Sequence, residues 1–467
     1  MRYTVGMDKT IAIVGAGLAG TEAALQLASR GFEVSLYEMR PHTGTPVHTT
    51  GRCAELVCSN SLKSTKPESA AGMLKAELRR LGSFVYAAAL KTRVAAGGAL
   101  AVDRDAFSSM LDDQVRLHPN IKLVEGEVES LRSIARTAAA MVVATGPLTT
   151  DALAADLSSI TGSDRLSFFD AAAPIVMADS IDYGKVFRQS RYEDAGEGPD
   201  GRGDYLNAPF TREEYEEFAN CLLEAERVIQ RDFETKDLFQ ACQPIEEIMR
   251  KGIDAPRFGP LKPVGLTDPR TGRRPYAALQ LRAENAQMTA YNLVGFQTNL
   301  RFAEQKRVFS MIPGLESAEF VRFGVMHRNT FIDAPRLLDS DLSLRGGTIE
   351  GAAVYVAGQL GGTEGYCEAV RSGLHCALSI AARLKGIEPP ALPAETAFGA
   401  LVRYATDPQT ENYQPMHVNF GIMPPLSERV RNKGLRYAAY AQRGALALDG
   451  YVRQLEGAGL ARRESSR

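Results

Sequence analysis

The amino-acid sequence predicts an α/β protein: a Rossmann-like sheet that holds a dinucleotide, with an inserted α+β domain. Three observations predict it. A β-rich run at residues 11–20, IAIVGAGLAG, passes through three glycines into an alanine-rich helix. A second apolar run, AAAMVVATGP, ends in a glycine turn at Thr145 and Gly146. Strand, glycine turn and helix then recur near residue 350, in AAVYVAGQLGGTEGYCEAVRSGLHCALSIAARL, after a long stretch of different texture.

The first turn is the most specific of the three. Gly15 allows the tight turn, Gly17 lets the backbone approach a pyrophosphate, and Gly20 lets helix and strand pack closely. Ala16, Leu18 and Ala19 complete the loop, where the helix N-terminus presents N–H groups to phosphates. Glu38 closes the next apolar run, FEVSLYE, where it is placed to accept hydrogen bonds from a ribose. A GxGxxG turn alone does not separate FAD from NAD. A second glycine turn, from Gly358 to Gly365, precedes a helix. Two glycine turns, an ATG strand end and one full fingerprint together favour bound FAD in a glutathione-reductase-type flavoprotein.

Along the chain, AAGMLKAELRRLGSFVYAAA reads as one helical stretch after a polar loop from Pro41 to Pro67. VDRDAFSSMLDDQVRLH reads as a helix with Asp103 as its N-cap, and IKLVEGEV as a strand. From about residue 180 the texture turns polar and glycine-rich, then helical in TREEYEEFANCLLEAERVI. We divide the chain into a first part of the FAD-binding domain (1–180), an insertion on the substrate side (181–325), and a second FAD-binding part with a C-terminal helical region (326–467).

The chain has 467 residues, 45% hydrophobic and 24% charged, with a net charge of −2. This argues against wholesale polyanion binding while leaving room for a local basic patch. No apolar run approaches the ~18 residues of a membrane helix. No Cys/His spacing suggests zinc, so no metal site is expected, and the compartment expected is the cytoplasm. The six cysteines then matter as thiols rather than staples. Cys58, in AELVCSNSLKS, and Cys242, in LFQACQPIEEIM, are the candidates for chemistry. Cys53 has no such polar flank, Cys221 reads as helix core, and Cys367 and Cys376 read as packing. Arg282 in LQLRAEN and His327 in GVMHRNT are polar groups expected near the flavin. Basic segments RTGRR (270–274), RFAEQKR (301–307) and RVRNKGLR (429–436) permit an RNA-binding face.

The segments GAGLAGTEAA, YEMRP, AELVCSNSLKS, AGGALAVDRDAF, FGPLKPVGLTDPRTG, VGFQTNLRFAEQKRV, MIPGLE and GVMHRNTFIDAPRLL run in one order along the chain. Together they closely resemble the TrmFO family, folate- and FAD-dependent tRNA (uracil-5-)-methyltransferases related to the GidA/MnmG flavoproteins. The resemblance spans about residue 10 to about 440. It implies C5-methylation of the T-loop uridine of tRNA to ribothymidine, with methylenetetrahydrofolate as carbon donor and NAD(P)H reducing FAD. It also implies that Cys242 is the nucleophile and Cys58 its acid/base partner. The alternatives are the same chemistry on a ribosomal RNA uridine, and a flavin-binding RNA-interaction protein without turnover. The presence of both cysteines argues against the latter.

Overall fold

The computed structural model describes residues 10–45, 47–162, 166–171, 173–191, 203–228, 243–324, 326–410 and 413–461, with 166–171 and 326–328 described by backbone alone. Cys242 lies outside the described residues.

The larger sheet has six strands in the order Ser343–Ile349, Ala352–Val356, Ala138–Val143, Thr10–Val14, Val34–Glu38, Ile121–Glu125. Every pairing is parallel except that of Ser343–Ile349 with Ala352–Val356. The central strands TIAIV, AAAMVV and AAVYV are almost wholly buried, as expected of a parallel sheet covered on both faces. The two runs that the sequence separates by two hundred residues therefore meet: Ala352–Val356 returns to pair with Ala138–Val143.

Helix Leu18–Ala28 has all eleven residues buried, because helix Tyr366–Leu384 packs across it. The crossing is close because residue 373 is glycine: a Cβ there would stand 2.1 Å from the Ala19 carbonyl oxygen. Glu22 is fully buried there, and burial raises its carboxyl pKa; it accepts hydrogen bonds from Ser83 Oγ (2.8 Å) and the amides of Phe84 (3.2 Å) and Val85 (2.9 Å), which oppose that shift only in part.

Several expectations change. The run AAGMLKAELRRLGSFVYAAA forms two helices, Ala70–Arg80 and Phe84–Lys91. Gly82 takes a φ of +70°, and Ser83 then caps the second helix by accepting from the Tyr86 amide. The loop from 41 to 67 contains a strand, Ser61–Ser64, paired with Ala99–Val102. Helix Arg212–Glu224 starts at a capping box of Thr211 and Glu214 but stops before AERVI, because Ala225 is extended. Asp103 caps helix Arg104–Arg116 through the Ala106 amide, as the sequence indicates.

A second six-stranded sheet, antiparallel throughout, takes its strands from residues 175–322, in the order Phe187–Arg188, Tyr205–Phe210, Ala277–Ala283, Ala290–Leu293, Ile175–Met177, Phe320–Arg322. It has its own apolar core around Phe210, Phe218, Phe296 and Phe309. Strands Leu166–Ala171 and Met326–Phe331 pair antiparallel as the chain leaves and returns.

This second core buries Glu246 completely. The side chain accepts from the Asn299 amide at 2.6 Å and from Thr298 Oγ1 at 3.1 Å, and burial pushes its carboxyl up to about 7. The folded chain therefore keeps a proton that the unfolded chain has already lost. Stability falls as pH rises from the unfolded value of 4.5 through about 7. Glu246→Gln keeps the neutral shape. Its stability relative to the parent should improve by about 1–3 kcal/mol between about pH 5 and about pH 8 in urea unfolding. A difference that does not change with pH would refute this.

Candidate functional site

The first glycine turn sits where the two central strands end. Gly15 has a φ of +99°, and a Cβ there would lie 2.6 Å from the Ala144 carbonyl oxygen. At Gly20 a Cβ would lie 1.8 Å from the Gly15 carbonyl oxygen. These two glycines are required by the protein's own backbone. Gly17 differs: a Cβ there meets nothing within 4 Å. It lines an open cleft with Gly15, Glu38, Arg40, Thr145 and Thr149. Ala16, Leu18, Ala19 and Gly20 are buried beneath.

Glu38 is also on the cleft wall, but its carboxylate already has partners. Oε2 accepts from the Ala16 amide at 2.8 Å, and Oε1 from Arg40 Nε at 2.9 Å. Burial works to raise its pKa, yet the Arg40 guanidinium and the amides of Arg40 (3.1 Å to Oε1) and Ala16 hold it below the usual carboxylate value. It is therefore an anion that ties the turn to the next strand.

The second turn abuts the first helix. Gly358 has a φ of +75°, and its Cβ would touch the Ala19 Cβ at 3.4 Å. Gly365, at φ +112°, opens helix Tyr366–Leu384. Around this turn the buried atoms Gln359 Nε2, Thr363 Oγ1, Thr330 Oγ1 and Tyr413 Oη have no hydrogen-bond partner among the described residues. Buried polar groups are normally paired. An open glycine cradle at one turn and a set of orphaned polar atoms at the other fit a bound flavin dinucleotide.

The segment after the first βαβ unit folds back over the glycine turn, with the Ala54 amide donating to the Ala16 carbonyl at 2.8 Å. It then delivers Cys58, which is half-buried, into a clamp. The amides of Cys58 and Ser59 both donate to Tyr366 Oη, at 2.8 and 3.1 Å. The Cys58 carbonyl accepts from Arg104 Nη2 at 3.1 Å and Arg322 Nη2 at 2.9 Å. Arg322 also holds the Val57 carbonyl at 3.1 Å. Arg282 holds Ser59 Oγ at 2.9 Å and Asn60 Oδ1 at 2.7 Å. Glu284 pairs with Arg104. Three guanidiniums thus face one carboxylate, leaving an excess of positive charge around this turn. Burial lowers the pKa of Arg282 and Arg322, and the neighbouring Arg104 adds to this.

The structure brings together Cys58, Arg282 and both glycine turns. His327 is described by its backbone alone, on strand Met326–Phe331. Cys53 is buried, and burial together with Asp112 pushes its thiol well up, so it is inert at neutral pH. Cys367 and Cys376 are core residues. Cys221, expected in a helix core, is half-buried beside the buried Phe218 and Leu222. Arg104, Arg322 and Tyr366 were missed. Tyr366 offered one signal, its place directly after the second glycine turn.

Among the described residues no helix is long and apolar enough to cross a membrane, and no group of three acidic, histidine or cysteine side chains is placed to hold a metal ion.

The fold and the two glycine turns define a dinucleotide-binding protein of the flavoprotein class. The family model for glucose inhibited division protein A matches residues 10–388. Among curated relatives, "Methylenetetrahydrofolate--tRNA-(uracil-5-)-methyltransferase TrmFO" of Desulforudis audaxviator is 52% identical over 440 residues, covering 94% of this chain and 97% of the relative. The protein of the same name from Geobacter sulfurreducens is 52% identical over 446 residues, covering 96% and 99%. Among solved structures, Aquifex aeolicus GidA superposes with a TM-score of 0.67 at 15% identity, covering 97% of this chain and 78% of that one. The chain belongs to the GidA family and, within it, to the TrmFO methyltransferases.

Proposed function

We propose that this chain methylates C5 of the T-loop uridine of tRNA, giving ribothymidine. Methylenetetrahydrofolate supplies the carbon, and NAD(P)H reduces the bound FAD. One observation carries the reading: the Cys58 turn is clamped beside a dinucleotide cleft, in a chain half identical to full-length relatives bearing the TrmFO name.

The chemistry asks for thiols. Uracil C5 is a poor nucleophile. A thiolate adding to C6 makes C5 enolate-like, which splits one hard step into easier ones. A second group must remove the C5 proton before the thiolate leaves. In our reading Cys242 adds to C6 and Cys58 handles the proton. When bound, the flavin supplies the hydride that reduces the one-carbon unit to a methyl group. Gly15, Gly17, Glu38 and the Gly358–Gly365 turn would hold it. The positive charge of Arg104, Arg282 and Arg322 suits an anionic ligand, a phosphate of the RNA or a carboxylate of the folate. The target base must leave its stack, at a cost of a few kcal/mol. We read residues 181–325 as the substrate-side insertion between two flavin-binding parts, 1–180 and 326–467. Catalytic thiols need a reducing compartment, which fits the cytoplasm.

The test is incubation with methylenetetrahydrofolate, NADPH and unmodified tRNA transcript, followed by nucleoside analysis. Ribothymidine in the T-loop is the expected product. Cys242→Ala should lower its formation about a thousandfold or more while flavin stays bound. Full activity in that variant would remove the nucleophile role.

A further inference from the structure

The three arginine-rich segments look alike in composition but differ in the fold. In RTGRR, Arg270 is neutralised by Asp268 at 2.7 Å, while the exposed Arg273 and Arg274 have no carboxylate within 4.0 Å among the described residues. In RFAEQKR, Arg301 pairs with Glu226 at 2.9 Å and Arg307 with Glu304 at 2.6 Å. In RVRNKGLR, none of Arg429, Arg431, Lys433 and Arg436 has a carboxylate within 4.0 Å among the described residues. From Tyr413 to Leu448 the chain carries five cations, these four and Arg443, against one carboxylate, Glu428. On a chain with net charge −2, this is a local concentration of uncompensated positive charge.

The cations are arranged around aromatic rings. Phe420 stacks on Tyr437 with ring centroids 4.2 Å apart and lies 5.2 Å from Tyr440. Lys433 and Arg436 stand 5.6 and 5.7 Å from the Tyr437 ring, and Arg443 stands 5.1 Å from Tyr440. Arg443 also holds the carbonyls of Pro424 (2.6 Å) and Pro425 (2.8 Å), which fixes the preceding segment against helix Lys433–Gly457. A concavity lined by Leu426, Arg429, Arg431, Arg436 and Tyr440 lies between them. Arg429, Arg431 and Lys433 are exposed, and the tyrosines are half-buried.

The patch is continuous with the candidate site. The Met416 amide donates to Gly362 at 3.2 Å, and the Glu364 amide donates to Met416 at 3.0 Å. The segment is thereby pinned to the second glycine turn, whose helix carries Tyr366 against Cys58. Phe420 follows Met416 by four residues, a reach of at most ~14 Å.

We propose that residues 420–443 form a docking surface for the sugar–phosphate backbone of the RNA substrate, tRNA in the reading above, on which this inference rests. Arg429, Arg431 and Lys433 engage phosphates, whose counterions are released on binding. The ring cluster offers a stacking platform to an unpaired base.

The experiment uses the flavin-loaded full chain, with binding of unmodified tRNA transcript followed by fluorescence anisotropy over a salt series. The triple variant Arg429→Ala, Arg431→Ala, Lys433→Ala should raise Kd by roughly ten- to a hundredfold and flatten the salt slope by about two to three. Its flavin content should match the parent. The double variant Arg301→Ala, Arg307→Ala removes paired cations and should bind within about twofold of the parent. An unchanged Kd and slope in the triple variant, with the parent binding well, overturns the docking surface. So does a loss of self-association in sedimentation with RNA affinity intact, which would give this face to a second copy. Binding of a ribosomal RNA fragment but not tRNA, lost in the triple variant, upholds the surface and overturns the tRNA substrate instead.

Discussion

Gly17→Glu is expected to give a folded, colourless protein that forms no ribothymidine. The argument rests on a contrast within one turn. A side chain at Gly15 would meet the Ala144 carbonyl, and one at Gly20 would meet the Gly15 carbonyl, so either substitution strains the fold itself. Gly17 has an ordinary φ of −69°, and its Cβ direction is open for 4 Å. A glutamate there costs the backbone nothing and projects into the cleft. A carboxylate near a helix N-terminus even stabilises the helix slightly, by ~0.3–1 kcal/mol. The ligand suffers instead, because the new carboxylate occupies the place where a pyrophosphate would meet the helix and repels it. A loss of about 3 kcal/mol corresponds to about a hundredfold in Kd. The ratio of flavin to protein absorbance reads the effect, and thermal melting by circular dichroism checks the fold. Yellow protein at full occupancy would refute the assignment of this turn.

How much of this was legible in the sequence depends on how local each feature is. The glycine fingerprint is local: strand, turn, helix and Glu38 lie within thirty residues, and each glycine has a reason that a sequence can express. The Asp103 cap is local for the same reason. The break at Gly82 is local too but was overrun by the helical character of its flanks. A single residue at positive φ outweighs apolar periodicity on both sides of it. The Cys58 clamp is of another kind. Tyr366 is 308 residues from Cys58, and Arg104, Arg282 and Arg322 come from three further elements. Each is an unremarked cation or phenol until the two sheets bring them to one turn. Arg282 stands out in the sequence as a polar group expected near the flavin, and the fold shows what it holds, Ser59 and Asn60. The basic segments show the same limit. Their composition is visible, but whether a carboxylate answers each arginine is a tertiary fact, as Asp268, Glu226 and Glu304 show.

Tyr366→Phe tests whether the clamp serves the chemistry. The substitution keeps the ring at the first position of its helix and removes one oxygen. That oxygen accepts from two consecutive amides, those of Cys58 and Ser59. Burial pushes the phenol pKa up, so it remains a neutral hydroxyl at every working pH. Without it two N–H groups lose their partner, at ~1–3 kcal/mol for each that stays dry. The carbonyl side of the turn is still held by Arg104 and Arg322, so the turn does not unfold. Its amide side is released, and the Cys58 thiol moves with it. A displacement of about 1 Å at a reacting group can cost ~10²-fold in rate. We therefore expect kcat for methylation to fall about a hundredfold. KM for tRNA should stay within about threefold, because no RNA-facing charge has changed. Flavin content should be unchanged, since neither glycine turn is touched. A parallel loss of flavin and of kcat would reduce Tyr366 to a support of the fold. An unchanged kcat would mean that the position of the Cys58 turn does not matter to the reaction, and with it the acid/base role of Cys58 would fall.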